Sequence, residues 1–509
     1  MGNNIKNSRQ KKLKEYLSNP EKILYKEDFT RGIDMSFDSC ATLTSLGYNE
    51  KRKVELPDLK RKAVSQSLFL RELDPNCHNV LFDENIPSIC REIADGQFQE
   101  IKYQKMACAL QRNIRDKHVL HLCGNPMQFT LMETEPSIIQ QNNFTKFKQY
   151  WSLRNQDGMR CKMVSTQKGV GDAALLYYFN YKGEIKSRLL SYPDYVILPL
   201  NDENGDRLLE SVYYSDGNLE RIDSYDDYNM YRFVLDNNNL GKNKTGWRME
   251  GQYKHGFIEN PLITKRGEVA WNKVQSNIET YEIIYNIYNV IQKRQGWGIL
   301  FLRGNISNTI EKFNGSLILK ATGLDAEKAT AEYKVPPTGE GMKESMELIK
   351  ETIQTGAGCT FLLPKDIKMA GDISGVAIML TQSLDIETAL QGTIEWQNVA
   401  NKMTRLFKYG LSKELVNNGI NNKAITEFND LSIQAQFKVW KPQSDTDYAT
   451  MLVALKSAGL ISEETGIEKN PVSSPDEKNR RKKEEVEKQT TEAENALKQT
   501  TNLNNIKEG

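Results

Sequence analysis

Residues Phe361 to Tyr409, FLLPKDIKMAGDISGVAIMLTQSLDIETALQGTIEWQNVANKMTRLFKY, constrain the chain more than any other stretch. The segment begins as a polar loop punctuated by Pro364 and Gly371, with Asp372 beside the glycine. After Ser374 and Gly375 it takes on a helical spacing. Ile373, Val376, Leu380 and Leu384 recur every three or four residues, and Met379, Ile386 and Leu390 form a second apolar set. A helix from Val376 to Tyr409 would run about 50 Å at about 1.5 Å per residue, longer than one compact domain needs for a surface helix. Gly392 marks a candidate bend. Apolar residues on more than one side imply more than one packing partner, within the chain or from other copies of it.

At 509 residues the chain is long enough for roughly three or four units with a large buried core. Its 68 basic and 67 acidic residues leave a formal charge of +1, which gives no overall attraction to nucleic acid or anionic membrane. No apolar run reaches transmembrane length, and the start, MGNNIKNSRQKKLKEYL, has no apolar signal segment, so a cytosolic protein that does not enter membranes is expected. Seven cysteines without a repeated short spacing predict reduced, mostly buried thiols.

Along the chain, Asn7 to Lys26 favours a terminal helix with Leu13, Tyr16 and Leu17 on one side, either solvated or serving as a docking arm for a neighbouring subunit. Cys90 to Leu122 reads as helical, led in by Pro87. From Phe129 to Phe233 the texture turns β-favouring. CKMVS (161–165), ALLYYFNY (174–181), YVILPL (195–200), ESVYY (210–214) and MYRFVL (230–235) are separated by Gly- and Asn/Asp-rich turns that favour antiparallel hairpins. Gly246 to Ile263 reads as an exit loop. A helix follows from Trp271 to Arg294, with Val274, Ile278, Tyr281, Tyr285 and Tyr288 as one stripe and Ile283, Ile284, Ile287 and Ile291 as another. The strand-like ILFLRG and SLILKATG come next, then a returning helix over Met342 to Gln354, which makes a stalk with a tip. After Tyr409, GLSKELVNNGINNK reads as loop and cap, FNDLSIQAQFKVW as a strand, and Ser444 onward as two short helices with Gly459 ending the first. Beyond Pro475 the chain is charged and nearly free of apolar residues.

The residues of catalysis do not assemble into a pattern. His118, His121 and Cys123 lie in DKHVLHLCG, a spacing that does not put all three on one helical face, and packing roles are expected for them. Gly169 and Gly171 of QKGVGDAA match no nucleotide-binding fingerprint and read as a hairpin turn. No catalytic residue, metal ligand or cofactor is assigned. One loop stands out for a mechanical reason: Lys365, Asp366, Lys368 and Asp372 lie directly before the long helix. In a monomer it is a surface loop; in a ring with inward-pointing helices it would form a constriction.

The order of mixed wing, stem helix, small clip, returning stem helix, loop, long helix and terminal helices resembles the portal proteins of tailed bacteriophages, particularly the SPP1-type family. DISGVAIMLTQSLDIETAL (372–390) resembles the start of that family's tunnel helix, with Ser374, Gly375, Val376, Leu380 and Leu384 on the matching positions. LKSAGLISEETGIEKNPVSSPDEKNRRKKEE (455–485) resembles its ending, and HGFIENPLI (255–263) its passage into the first stem helix. The resemblance implies an α+β portal fold assembled as a ring. Its parts would be an N-terminal arm and wing over 1–266, stem helices over 267–297 and 339–358, and a clip over 298–338. A tunnel loop over 359–375, a tunnel helix and wing return over 376–440, a crown over 441–480 and a charged tail over 481–509 would complete it.

The resemblance further implies a homo-oligomer of about twelve copies at one capsid vertex, assembled in the host cytoplasm and carried in the virion. It would conduct double-stranded DNA for packaging and ejection, without reading sequence and without catalysis of its own. Its partners would be the terminase large subunit, the major capsid or scaffolding protein and later a head-tail adaptor. Lys365 and Lys368 would touch passing phosphates, with Asp366, Gly371 and Asp372 shaping the loop. A non-enzymatic head-tail adaptor or another structural virion protein is the alternative.

Overall fold

A computed structural model describes residues 2–18, 58–86, 103–133, 135–201, 207–217, 219–236, 247–295, 340–361, 381–417, 428–441 and 445–462, with strand segments at 89–94, 97–101, 299–303, 311–313, 316–318 and 330–334 and single helical positions at 466, 481, 484, 488 and 490. The chain divides into two units: Met1–Phe361 with Leu384–Trp440, and Leu362–Ser383 with Lys441–Gly509. In the first unit, helices α1 (Gly2–Ser18) and α2 (Asp58–Leu73) precede a hairpin of β1 (Ile89–Ala94) and β2 (Gln97–Ile101). Then come α3 (Leu110–Cys123), β3 (Gln128–Leu131), α4 (Ile138–Leu153) and α5 (Gln156–Val170). A capping box starts α4: the Ser137 hydroxyl accepts the Gln140 N–H, and the Gln140 side chain accepts the Ser137 N–H.

Antiparallel strands follow, as the turn chemistry predicts. β4 (Asp172–Phe179) turns into β5 (Ile185–Leu190) through Asn180, whose side-chain oxygen accepts from the backbone of Lys182 and Glu184. β6 (Tyr195–Asn201), β7 (Arg207–Asp216), β8 (Leu219–Tyr225), β9 (Asn229–Asp236) and β10 (Trp247–Lys254) make a five-stranded meander. β11 (Leu262–Arg266) returns to β4, giving the order β11-β4-β5. The alternating side chains of YVILPL serve two cores at once. Val196, Leu198 and Leu200 face one cluster, against which Leu13, Tyr16 and Leu17 of α1 pack. Ile197 faces the other, with Ala174, Leu190 and Leu262 of the three-stranded sheet. The terminal helix is therefore neither simply solvated nor a free arm, because its apolar side covers a sheet of its own chain.

Next are α6 (Gln275–Gln295), β12 (Ile299–Arg303), β13 (Glu311–Phe313), β14 (Ser316–Ile318), β15 (Thr330–Lys334) and α7 (Glu340–Ala357). β12 pairs with β15 and β13 with β14, all antiparallel. The long helix α8 (Ser383–Asn417) follows, and β16 (Ile433–Gln436) pairs with β3. The largest core cluster is organised on the second half of α8. Trp396, Val399, Ala400, Met403, Leu406, Phe407 and Leu411, three or four apart, meet Phe147 and Trp151 of α4, Met163 and Val164 of α5, and Leu175 and Tyr177 of β4. Phe147, Trp151 and Phe407 form a mutual aromatic cluster with centroids 5.3 to 5.8 Å apart. Within the second unit, α9 (Asp445–Ser457) ends at Gly459 in a left-handed turn, where Leu460 N–H reaches Leu455 O and Gly459 N–H reaches Lys456 O.

Five local readings are corrected. Cys90 to Leu122 is not one helix: β1 and β2 occupy its first part as an antiparallel pair, and α3 begins only at Leu110. CKMVS lies inside α5, where buried Arg160 and Gln167 share the helical face of Met163, Val164 and Val170 and hide its amphipathic pattern. Gly171, with φ of 87°, ends that helix instead of turning a hairpin. The supposed exit loop holds β10 and the start of β11; in β10 Trp247, Met249 and Tyr253 alternate with Arg248, Glu250, Gln252 and Lys254, a period of two that marks a strand. Finally, α8 runs on past Tyr409 to Asn417 because Leu411 and Leu415 still reach the core. Gly392 lies within this uninterrupted helix, where a Cβ would stand 3.4 Å from the Leu122 side chain, so its place is one of close approach to α3.

Replacing Phe147 by Ala is expected to destabilise the first unit by about 3–5 kcal/mol, as for other fully buried aromatics. A urea titration followed by tryptophan fluorescence checks this: the midpoint should fall with little change in slope.

Candidate functional site

The helices α6 and α7 leave and rejoin the body at one place. Val274, just before α6, and Ile278 within it pack with Ile353 and Ala357 of α7, Ile114 of α3, Trp271 and Cys359 in one buried cluster. The pair is antiparallel, and the chain between them carries β12 to β15. α7 stops at Gly358, whose φ of 63° is left-handed; its N–H reaches Thr355 O and the Cys359 N–H reaches Gln354 O. Any Cβ there would also fall 2.3 Å from the Thr388 hydroxyl, which itself donates to Gly358 O at 2.8 Å. Only glycine satisfies both the backbone and the contact.

This turn joins the two ends of the segment between Phe361 and Ser383. The carboxylate of Asp385, buried in the first turn of α8, accepts the Thr360 N–H at 3.2 and 3.3 Å, and the Gln354 side chain accepts the Phe361 N–H at 3.2 Å. An acidic group at that position also complements the positive end of the helix dipole. α3 braces the clamp from behind. His118 donates from Nε2 to Ala357 O at 2.8 Å, and burial with the nearby Lys168 charge pushes its pKa down to about 4, so the ring is neutral. His121 donates from Nδ1 to Trp440 O at 3.1 Å while its own carbonyl accepts the Trp440 N–H at 2.7 Å. Its Nε2 stands 3.9 Å from Asp385, and burial lowers its pKa although the Asp385 charge opposes this. Among the described residues, no three potential metal ligands gather.

A second polar knot fastens α6. Its buried line is Val274, Ile278, Glu282, Asn286 and Val290, four residues apart, with two polar members. Glu282 receives the Cys108 N–H at 2.7 Å and His78 Nδ1 at 2.8 Å. Asn286 pairs with both backbone groups of Met106, at 2.8 and 2.7 Å. His78 Nε2 meets Glu72 O at 2.8 Å, so both ring nitrogens face acceptors, an arrangement that favours the imidazolium. Burial works against that charge, but the hydrogen bond and charge of Glu282 outweigh it and raise the His78 pKa. The Glu72 carboxyl, which accepts the Trp271 indole N–H at 2.7 Å, is pushed up to about 7 by burial.

Of the residues singled out in the sequence, Val274 and Ile278 are buried within the chain, whereas Tyr281, Tyr285 and Tyr288 are half-buried, the first two stacked at 6.2 Å. Leu384 is half-buried in the first turn of α8. Lys365, Asp366, Lys368, Gly371, Asp372, Ser374, Gly375, Val376 and Leu380 lie outside the described residues. The clamp residues Gly358, Thr388 and Asp385 and the α6 knot were missed. Their signals were present: an Asp in the first turn of a helix, and polar residues at four-residue steps on an apolar stripe.

These elements define a mixed α+β scaffold in which a polar clamp joins the end of α7 to the start of the long helix α8. A family model described as phage portal protein, SPP1 Gp6-like, matches residues 98–499, well over half of the chain. The chain belongs to that family. Membership places it broadly in a portal role at the bacteriophage capsid vertex, in DNA packaging, and the family is in general structural and non-enzymatic. No curated protein gives a match. No helix among the described residues is long and apolar enough to cross a membrane.

Two outcomes test this geometry. Asp385→Ala should expose the Thr360 amide to rapid hydrogen exchange and cost about 1–3 kcal/mol, while β4 and β5 stay protected. Stability should also fall as pH rises through the α6 knot's range. Glu72 binds its proton in the folded chain up to about 7 but releases it near 4.5 when unfolded, and the raised His78 contributes fully only below its unfolded value of 6.5. Denaturation midpoints measured from pH 4.5 to 8 should therefore decline in the wild type, and Glu72→Gln should flatten the part below pH 7.

Proposed function

We propose that the chain is the subunit of a closed ring at one capsid vertex, through which double-stranded DNA enters during packaging and leaves on ejection. The family match over residues 98–499 carries this reading. In it, residues 1–266 are the arm and wing, 267–297 and 339–358 the stem, 298–338 the clip, 359–375 the tunnel loop, 376–440 the tunnel helix and wing return, and 441–480 the crown, with 481–509 a charged tail. The terminase large subunit docks during packaging, the major capsid or scaffolding protein surrounds the ring, and a head-tail adaptor follows. The ring works as a conduit and hydrolyses nothing itself.

Exposed apolar groups support assembly. Ile283 is exposed on α6, with Ile284 and Ile287 half-buried beside it; Leu348 is exposed on α7, and Leu390 and Ile394 on the first half of α8. A heterologous contact repeated around a closed ring would cover such faces in every copy. The clamp at Gly358, Asp385 and Thr388 supports the loop's part. It fixes both ends of the 362–382 segment, so that Lys365 and Lys368 can meet DNA phosphates from a rigid base. Mobile ammonium groups make weak, sequence-independent contacts that suit sliding.

Electron-microscopic images of the purified protein, classified for rotational symmetry, should show a ring of about twelve copies with a central hole. A stable assembly without a channel would overturn the reading. Replacing Lys365 and Lys368 together by Ala should leave the ring intact but change packaging or retention of the genome; normal packaging and retention by that variant would remove the loop contacts from the mechanism.

A further inference from the structure

The first helix carries a charge that the chain as a whole does not. Within its 17 residues α1 holds Lys6, Arg9, Lys11, Lys12 and Lys14 against a single acidic residue, Glu15. The whole chain has a formal charge of +1, so everything outside α1 is net acidic. The apolar side of the helix is already occupied: Leu13, Tyr16 and Leu17 pack on the β-meander beside Val196, Leu198, Leu200 and Phe233. Away from that sheet, Lys11, Lys14 and Ser18, three and four residues apart, are exposed along one line of the helix. Neither Lys11 nor Lys14 has a carboxylate partner among the described residues.

What can bind such a strip follows from what it lacks. A basic amphipathic helix with a free apolar side can enter a membrane surface or a protein groove through that side. Here the side is covered by the chain's own sheet, so a ligand meets only the polar line. Protein interfaces are poor in lysine and rest on apolar anchors, which that line does not offer. Lysine ammonium groups are point charges on flexible stems, suited to the phosphates of a nucleic-acid backbone. We propose that the exposed face of α1 is a DNA-binding site of its own, where Lys11 and Lys14 hold the phosphate backbone of double-stranded DNA without reading its sequence. That the polyanion is duplex DNA rests on the portal reading, which brings DNA to this protein; the charges and their exposure do not. The site shares no residue with the loop at Lys365 and Lys368, so it serves DNA outside the channel. In a ring the strip recurs in every copy, and weak contacts add along a duplex that touches several subunits.

The probe is covalently closed circular duplex DNA, which has no end to thread through a ring. Its binding by the full-length protein is followed by filter retention between about 50 and about 200 mM salt. Each phosphate contact adds about 0.9 to the slope of log affinity against log salt. Lys11→Gln with Lys14→Gln should therefore lower that slope by about 1.8 and make the affinity loss over this range about tenfold smaller. Lys11→Arg with Lys14→Arg should keep the wild-type slope, and Lys365→Ala with Lys368→Ala should bind circles as the wild type does. Circular dichroism confirms that each variant folds; the packing residues Leu13, Tyr16 and Leu17 are untouched. No binding of circles by the wild type, an unchanged slope in the Gln pair, or binding lost in the Lys365 and Lys368 pair would each overturn the proposal. So would tighter binding of polyglutamate than of DNA at equal charge, which would mark a site for an acidic protein. Circles report on α1 whether or not a ring forms: their failure to bind leaves the channel in images untouched, and absence of a ring leaves the result with circles standing.

Discussion

The Asp385 carboxylate bound to the Thr360 N–H is the contact on which the arrangement turns. Near it, Thr388 closes on Gly358 and Gln354 on the Phe361 N–H, so the chain leaves α7 and enters α8 through one polar joint. Closing a loop by its ends removes most of the freedom that a segment of that length would otherwise keep, and the entropic cost is offset by contacts at the base.

α3 gives the joint its backing. A single face of this short helix meets Ala357 through His118 and Trp440 through His121, and its Leu122 approaches α8 where Gly392 makes room. The long helix consequently has two characters. From Trp396 onward it is the spine of the main core, whereas Leu390 and Ile394 of its first half remain outside. The same division occurs in α6, whose inner line is buried by its own chain while Ile283 faces out. In a ring, the outer lines would belong to the neighbours.

Much of this was legible from periodicity. The α6 and α7 helices, the antiparallel strands and the helix ending at Gly459 follow from three-to-four spacing, turn residues and glycine stops. Where a helix was misread or its buried knot passed over, polar residues placed inside were the cause. Arg160 and Gln167 disguised α5, and Glu282 with Asn286 broke the apolar line of α6. A polar side chain is acceptable in a core only when a partner waits for it there, and for Glu282 those partners are His78 and the Cys108 N–H, 204 and 174 residues away.

By itself the sequence determined the mixed α+β class, the order of helix, small β unit, returning helix and long helix, and the family to which that order belongs. These depend on local spacing and on short motifs, which each segment carries whatever it packs against. Only the tertiary structure decided which face of each helix is inside, which buried polar groups pair, and how the end of α7 is fastened to the start of α8. Those are contacts between residues far apart in the chain, and they come to exist only when the whole unit has folded.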